Sequence, residues 1–275
     1  MGGSAPAADT SNNLYLITGN ATFDANSSTA PNNDYGDSFL KITSSLSASQ
    51  YFTPSNEMID NASDQDFGSG GAAILVDQPT SPVTHLVIGG GKDGYLYLLN
   101  RDAMGGLGDS NAWQRFYSGF PIFATGAFWN GRYYLAGVGG PLQSYSFNSV
   151  TGKFDLSSVP RSPGSFGFPG STPSVSSSGT ANGIVWALDN GNYCTPGSTS
   201  CGPTVLHAYD ATNIATELWN STQGPGNAAG NAVKFTAPTV ANGKVYVGTR
   251  GNNTGGDTSS SSIPGELDIY GLLPN

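Results

Sequence analysis

Apolar and polar residues alternate along this chain in short runs, and each run stops at a Gly-, Asn- or Asp-rich turn. "NLYLITGN" from Asn13, "HLVIGGGKDGYLYLLN" from His85 and "ANGKVYVGTRG" from Ala241 show the pattern. Alternation at a period of two is the mark of a half-buried strand. Helical periodicity is absent over any useful length, with "ATNIATELW" from Ala211 as the one approach to it. The strands recur in a fixed order. A turn-plus-strand unit appears as "WNGRYYLAGVG" from Trp129, "ANGIVWALDNG" from Ala181 and "ANGKVYVGTRG" from Ala241. Asn-Gly suits a tight type I′ hairpin, in which both central residues have positive φ. A second part follows: "LQSYSFNSVTGKFD" from Leu142, "TVLHAYDATNIATELWN" from Thr204 and "GELDIYGLL" from Gly265. Inner strands are read in "TPSVSSSG" from Thr172 and "TAPTVANG" from Thr236.

About five such units of roughly 50 residues predict an all-β chain, a β-propeller of four-stranded blades. A β-sandwich is the competing reading, and fixed-order recurrence of one turn disfavours it. The propeller is expected over residues 13–275 as a single domain, after a disordered or vector-derived leader over 1–12 that begins "MGGSAPAADTS". The recurrent aromatics Tyr95, Tyr97, Tyr133, Tyr134, Trp186, Tyr209, Tyr246 and Tyr270 are expected to pack blade on blade.

Composition narrows the function classes. Of the 275 residues 37% are hydrophobic, which is enough for a packed core and argues against disorder. Only 11% are charged, the net charge is −9, and the basic residues form no cluster. Nucleic-acid binding needs a basic patch, so that role is excluded, and an anionic membrane surface would repel the chain. The low-charge surface rich in Ser, Thr and Asn points to a periplasmic or secreted protein. No apolar run approaches the ~18 residues that span a membrane. Cys194 and Cys201, in "CTPGSTSC", are expected to form a local disulfide in an oxidising compartment. A zinc site needs more ligands, and His85 and His207 lie in separate strand-like runs, where they read as strand residues. No Ser/His/Asp or Cys/His constellation offers hydrolase chemistry.

"HAYDATNIATELWNS" and "VANGKVYVGT" resemble the repeats of the pyrroloquinoline quinone (PQQ) repeat superfamily. The first hundred residues resemble quinoprotein alcohol dehydrogenases more sharply. Four features stand in the family's order: "TGN" at Thr18–Asn20, "YGDSFLKI" at Tyr35–Ile42, "YFTPSNEMIDNASDQDFGSGG" from Tyr51, and "HLVIGGGKDGYLYLLNRD" from His85. The resemblance implies that this chain is the C-terminal part of an eight-bladed ring, its missing blades supplied by an upstream segment or another copy. It implies that Asn20 is the calcium ligand, Asp37 the catalytic base, with Asp34 as rival, and Lys92 the residue on the quinone oxygens. Calcium takes oxygen ligands and polarises a quinone carbonyl, while a carboxylate takes the proton of an alcohol. The family's calcium-binding glutamate and vicinal disulfide ring have no counterpart here. Each residue also has a plain structural reading. Asn20 and Asp37 would cap turns, Lys92 would be solvated, and Asp60, Asp64 and Asp66 would be loop carboxylates.

Two functions follow. One is a quinoprotein-like oxidoreductase, or a fragment of one, using PQQ and calcium on an alcohol or sugar hydroxyl. The other is a non-catalytic extracytoplasmic propeller that binds a protein or glycan, or serves as a cell-surface or filament subunit.

Overall fold

A computed structural model describes residues 5–29, 31–193, 201–224, 226–250 and 265–271. Five consecutive sheets account for nearly all of its regular structure. The first contains β1 (Ala7–Ala8), β2 (Leu14–Ile17), β3 (Phe39–Ile42) and β4 (Ala48–Thr53). The single α-helix among the described residues, α1 (Glu57–Ala62), follows. The second sheet contains β5 (Ala73–Ile74), β6 (Leu86–Gly90) and β7 (Tyr95–Asn100). The chain then returns through β8 (Gly106–Leu107), which pairs in parallel with β4, before β9 (Gln114–Tyr117) completes the second sheet. The third has β10 (Ala127–Trp129), β11 (Arg132–Leu135), β12 (Pro141–Asn148) and β13 (Lys153–Asp155), with β14 (Arg161–Ser165) also on β12. The fourth runs β15 (Ser174–Ser178), β16 (Ala181–Asp189), β17 (Val205–Asp210), β18 (Glu217–Asn220). The fifth runs β19 (Thr239–Ala241), β20 (Lys244–Thr249), β21 (Glu266–Tyr270).

The chain is therefore all-β and built of successive β-propeller-type meanders, as expected. Four strands per sheet is a simplification: the first and third sheets have five and the described part of the fifth has three. The chain divides into two compact units where a single domain was expected. One comprises 1–133 and 145–158, the other 134–144 and 159–275. Among the described residues no helix is long and apolar enough to cross a membrane.

Turn chemistry explains most element boundaries. Asn130-Gly131 and Asn242-Gly243 form the predicted two-residue turns before β11 and β20, with φ of 44° and 72°, and 50° and 71°. Asn182-Gly183 does not. The β15–β16 hairpin turns earlier in the chain, at Gly179-Thr180, and Asn182 (φ 54°) lies inside β16 where the ladder register shifts. The near-helical "ATNIATELW" ends in β18, because Trp219 and its neighbours pair with β17. Tertiary pairing outweighs a weak local preference there.

The fourth strands carry much of the packing. Phe52 on β4 meets Tyr97 on β7 at 5.0 Å between ring centroids. Phe116 on β9 meets Tyr145 on β12 at 5.1 Å. Trp219 on β18 meets Tyr270 on β21 at 5.6 Å. In each pair a fourth-strand ring reaches the third strand of the following sheet. Phe154 on β13 turns instead toward Tyr133 and Phe116. Tyr15, Phe39, Phe52, Phe67 and Tyr97 form the core of the first unit around Val87 and Leu99. Leu188, Leu206, Val245 and Val247 form that of the second, flanked by Trp186, Trp219 and Tyr270. The recurrent aromatics are thus largely packing residues.

Residues 7–12 correct the expected disordered leader. Ala7–Ala8 pairs with β2. The Asp9 carboxylate accepts hydrogen bonds from the Asn13 side chain at 2.9 Å and the Tyr15 hydroxyl at 3.0 Å, with Arg101 at 3.7 Å. Burial opposes its charge, but the bonds from Asn13 and Tyr15 outweigh it and hold Asp9 at about 2. Asp9→Ala should cost about 2 kcal/mol in chemical denaturation, because it orphans these donors beside a buried guanidinium. A carboxylate held below its ordinary value stabilises fully above pH ~4 and loses that contribution as the pH falls toward 2. The variant's acid unfolding should lack that component.

Candidate functional site

Four segments of the first unit converge on Asp66. Strand β2 runs into Thr18, whose N–H donates to the Ser38 carbonyl at 2.8 Å, and Asp37 N–H donates back to the Gly19 carbonyl at 2.9 Å. The long loop between these segments is knitted by Asp24, whose carboxylate accepts from Asp34 N–H at 2.8 Å. Asp34 itself is exposed. The stretch 64–68 then wedges between the end of β2 and the turn joining β6 to β7. Two glycines permit this. A Cβ on Gly68 would lie 2.4 Å from the Thr18 carbonyl carbon, and one on Gly91 would lie 2.5 Å from the Asp66 carbonyl oxygen.

The Asp66 carboxylate accepts from Asn20 N–H at 3.0 Å and binds the Lys92 ammonium at 2.5 Å. Lys92 also lies 3.0 Å from an Asp64 carboxylate oxygen, and the Asn20 side-chain amide donates to Asp64 at 3.2 Å. Burial alone would push Asp66 up and Lys92 down. Their mutual hydrogen bond, with Asn20 N–H on Asp66 and Asp64 on Lys92, reverses both, so the pair is fully ionised. Lys92 is thus an internally neutralised cation rather than a solvated one.

Asp37 behaves differently. It has no exposed surface and sits at φ 41°, and its Oδ1 accepts from Phe67 N–H at 2.8 Å. Its Oδ2 is buried without a hydrogen-bond partner, as is Oδ1 of Asn20. Burial is the largest influence on Asp37. With the like charges of Asp66 and Glu57 it outweighs Phe67 N–H and Lys92, and Asp37 rises to about 6. Asp60, on α1, is likewise buried and pushed to about 6, first by burial and then by Asp93, Asp37, Asp109 and Glu57. Burial also raises Asp93, which accepts from Tyr95 N–H at 3.0 Å.

The structure therefore joins Asn20 and Lys92 through Asp66, and ties Asp37 to the next residue, Phe67, through its N–H. Sequence reasoning left Asp66 among the loop carboxylates. Its one local signal was its place before Phe67-Gly68, and Asp60 and Asp64 offered similar claims. Lys92 and Asn20 do not have the plain roles of a solvated side chain and a lone turn cap. His207 is a strand residue, in β17 with Nδ1 2.6 Å from Glu217, whereas His85 lies just outside β6, with Nδ1 2.7 Å from Asp102. Cys194 lies outside the described residues, and with it the expected Cys194–Cys201 pairing.

A second feature belongs to the other unit. A cleft of about 710 Å³ opens between the fourth and fifth sheets, lined by Ile184, Trp186, Trp219, Asn227, Asp268 and Tyr270 among others. Its walls are mainly apolar and aromatic, with few polar groups, which is the usual make-up of a ligand site. The sequence marked Trp186 and Tyr270 as recurring aromatics but placed no cleft beside them.

No family model matches the chain, and no curated protein matches it. Among solved structures it is similar to BamB from Moraxella catarrhalis, at 10% identity and a TM-score of 0.46, over 88% of this chain and 57% of that one. It is also similar to the beta-propeller domain of Cps50 (Swd1) from Myceliophteria thermophila, at 6% identity and a TM-score of 0.46, over 86% of this chain and 67% of that one. The chain thus spans little more than half the length of BamB. Superpositions of this quality carry no functional argument.

The buried acids give the first unit a distinctive pH response. A carboxyl raised above its unfolded value keeps its proton longer when folded, so stability falls as the pH rises from about 4 through 6. Asp37 and Asp60 should together lower stability over this window by a few kcal/mol, on the order of 2 kcal/mol each. Asp37→Asn keeps an oxygen for Phe67 N–H and removes the ionisation. Urea midpoints measured at pH 4 and pH 7 should differ less in this variant than in the parent.

Proposed function

We propose that this chain is a binding propeller of the extracytoplasmic type, whose partner, a protein or glycan, is held at the aromatic cleft of the second unit. The cleft carries this reading. Trp186, Trp219 and Tyr270 offer large rigid rings, and Asp268 and Asn227 stand beside them to fix orientation. The Asp66 cluster supports the same reading from the other side. Its lysine is neutralised by two carboxylates, and its highest-pKa acid near Lys92, Asp37, is sealed from solvent. A general base must come within hydrogen-bond reach of the proton it takes.

A second reading rests on the two orphaned oxygens. The resemblance to quinoprotein alcohol dehydrogenases, as the C-terminal part of an eight-bladed ring, assigns Asn20 to calcium, Asp37 to proton abstraction and Lys92 to PQQ. Asn20 Oδ1 and Asp37 Oδ2 are oxygens of the type calcium prefers, and both lack partners. Calcium takes six to eight oxygens, and Asp66 and Asp64 are engaged by Lys92. The residues present therefore fall short of a calcium–PQQ site, and no catalytic step is derived through it.

The two readings separate experimentally. A glycan array and affinity capture with the intact protein should yield a partner whose binding weakens at least tenfold in Trp219→Ala. The protein incubated with calcium and PQQ should neither gain the quinone's absorbance nor reduce a dye with alcohols or sugars. Turnover in that assay, with no partner found, would reverse the order of the two readings. Calcium alone should leave the thermal midpoint unchanged, whereas a rise that Asn20→Ala abolishes would favour the second.

A further inference from the structure

The single α-helix among the described residues is held down by an acid. We infer that α1 is a pH-sensitive flap, docked against the first unit while Asp60 is protonated and released when it ionises. The flap belongs to the first unit and works whatever ligand the second unit holds.

A helix of six residues is not stable in water on its backbone bonds alone, so α1 depends on caps or on tertiary burial. Its ends supply little: the Asn56 side chain makes no capping hydrogen bond, and no basic residue stands in the last turn. Apolar burial does not hold it either. Met58 and Ile59 are 79% and 67% exposed, and α1 packs extensively on no described strand. Asp60 is the helix's one buried residue. The other ties are polar. The Asn61 side chain donates to the Ala21 carbonyl at 3.2 Å. Ahead of the helix, Ser55 N–H donates to the Asp109 carboxylate at 2.9 Å, and Asp109 N–H donates back to the Ser55 hydroxyl at 2.9 Å.

The surroundings of Asp60 are acidic. Glu57 stands on α1 itself, Asp37 just before β3, Asp93 in the turn between β6 and β7, and Asp109 ahead of β9. The cations of these segments are engaged with other groups. Lys92 binds Asp64 and Asp66, and Arg115 lies 3.3 Å from Asp109 and 3.4 Å from the centre of the Tyr95 ring. A neutral carboxyl suits this place and a carboxylate does not, because burial and like charges both oppose ionisation. Burial first, then Asp93, Asp37, Asp109 and Glu57, push Asp60 up to about 6. Docked, Asp60 therefore keeps its proton to about pH 6, whereas in water it would lose it near its ordinary 3.8. Rising pH favours the released helix from about pH 4 to about pH 6, and gains nothing further above that. The opening constant grows by tens of fold over this window, and by at most about a hundredfold. Release of α1 also admits water toward Asp37, which has no exposed surface while the helix is docked.

Amide hydrogen exchange on the intact protein, corrected for the intrinsic effect of pH, tests the flap. The Asp60, Ser63 and Gln65 amides donate to the Asn56, Ile59 and Asp60 carbonyls, so their exchange reports the helix and its exit. Their protection should fall by tens of fold between pH 4 and pH 7. At pH 7 it should be lower than that of β6 and β7 and insensitive to low urea, because lifting a helix exposes far less surface than unfolding the unit. In Asp60→Asn, which keeps the shape and removes the charge, the pH-dependent fall should vanish. Asp93→Asn, which keeps an oxygen for Tyr95 N–H, should reduce it severalfold. Equal protection of α1 at both pH values would overturn the flap. So would protection at pH 7 that matches β6 and β7 in size and urea dependence, since α1 would then open only with the whole unit. An undiminished fall in Asp60→Asn would overturn the role of Asp60. Should Asp60→Asn fail to fold, the parent's comparison of α1 with β6 and β7, together with Asp93→Asn, decides the matter.

Discussion

Short sheets of three to five strands cannot bury both of their faces alone, and the structure depends on how each one closes that gap. The device is a large ring sent from the fourth strand onto the third strand of the following sheet. Phe52 on Tyr97, Phe116 on Tyr145 and Trp219 on Tyr270 repeat it. Each ring buries more apolar surface than a β-branched residue could, and tilted or edge-on contacts add to the area term. Phe154 departs from the rule by turning back to Phe116 and Tyr133, which gathers these rings with Tyr145 into one aromatic cluster.

Rigid sheets leave the polar loops to be placed by hydrogen bonds and charge. In the first unit those loops bring several carboxylates close together with few cations. The resulting division of labour is physical. Asp66 is kept ionised by Lys92, whereas Asp37 and Asp60 are deprived of water and crowded by like charges, and hold their protons to about pH 6. The second unit contains the opposite environment, an aromatic cleft with one charged residue, Asp268, among its described lining residues. Recognition by area and stacking suits the second, while the first is a store of buried charge.

The strand pattern, the all-β class and the succession of blade-like meanders were legible in the sequence, because side-chain alternation and turn chemistry act over a few residues. Asn130-Gly131 and Asn242-Gly243 adopt the positive φ their composition demands. Asn182-Gly183 shows the limit of such reasoning. The same dipeptide slips into a strand once Gly179 offers an earlier turn, and only the ladder decides between them. The leader over 1–12 misled for a related reason. Its low-complexity composition conceals Asp9, whose partners lie as far away as Arg101.

The sequence by itself determined which residue types were available: an amide at Asn20, carboxylates at Asp37 and Asp66, an amine at Lys92, and rings at Trp186, Trp219 and Tyr270. Tertiary structure decided what each became. Asp66 is 46 residues from Asn20 and 26 from Lys92, so no local pattern could rank it above Asp60 or Asp64. Whether a carboxyl is ionised depends on the water and charge around it, and both are set by chain segments that meet only on folding. The cleft likewise exists only because β16, β18 and β21, far apart in sequence, bring Trp186, Trp219 and Tyr270 to one place. Composition does not encode a gap.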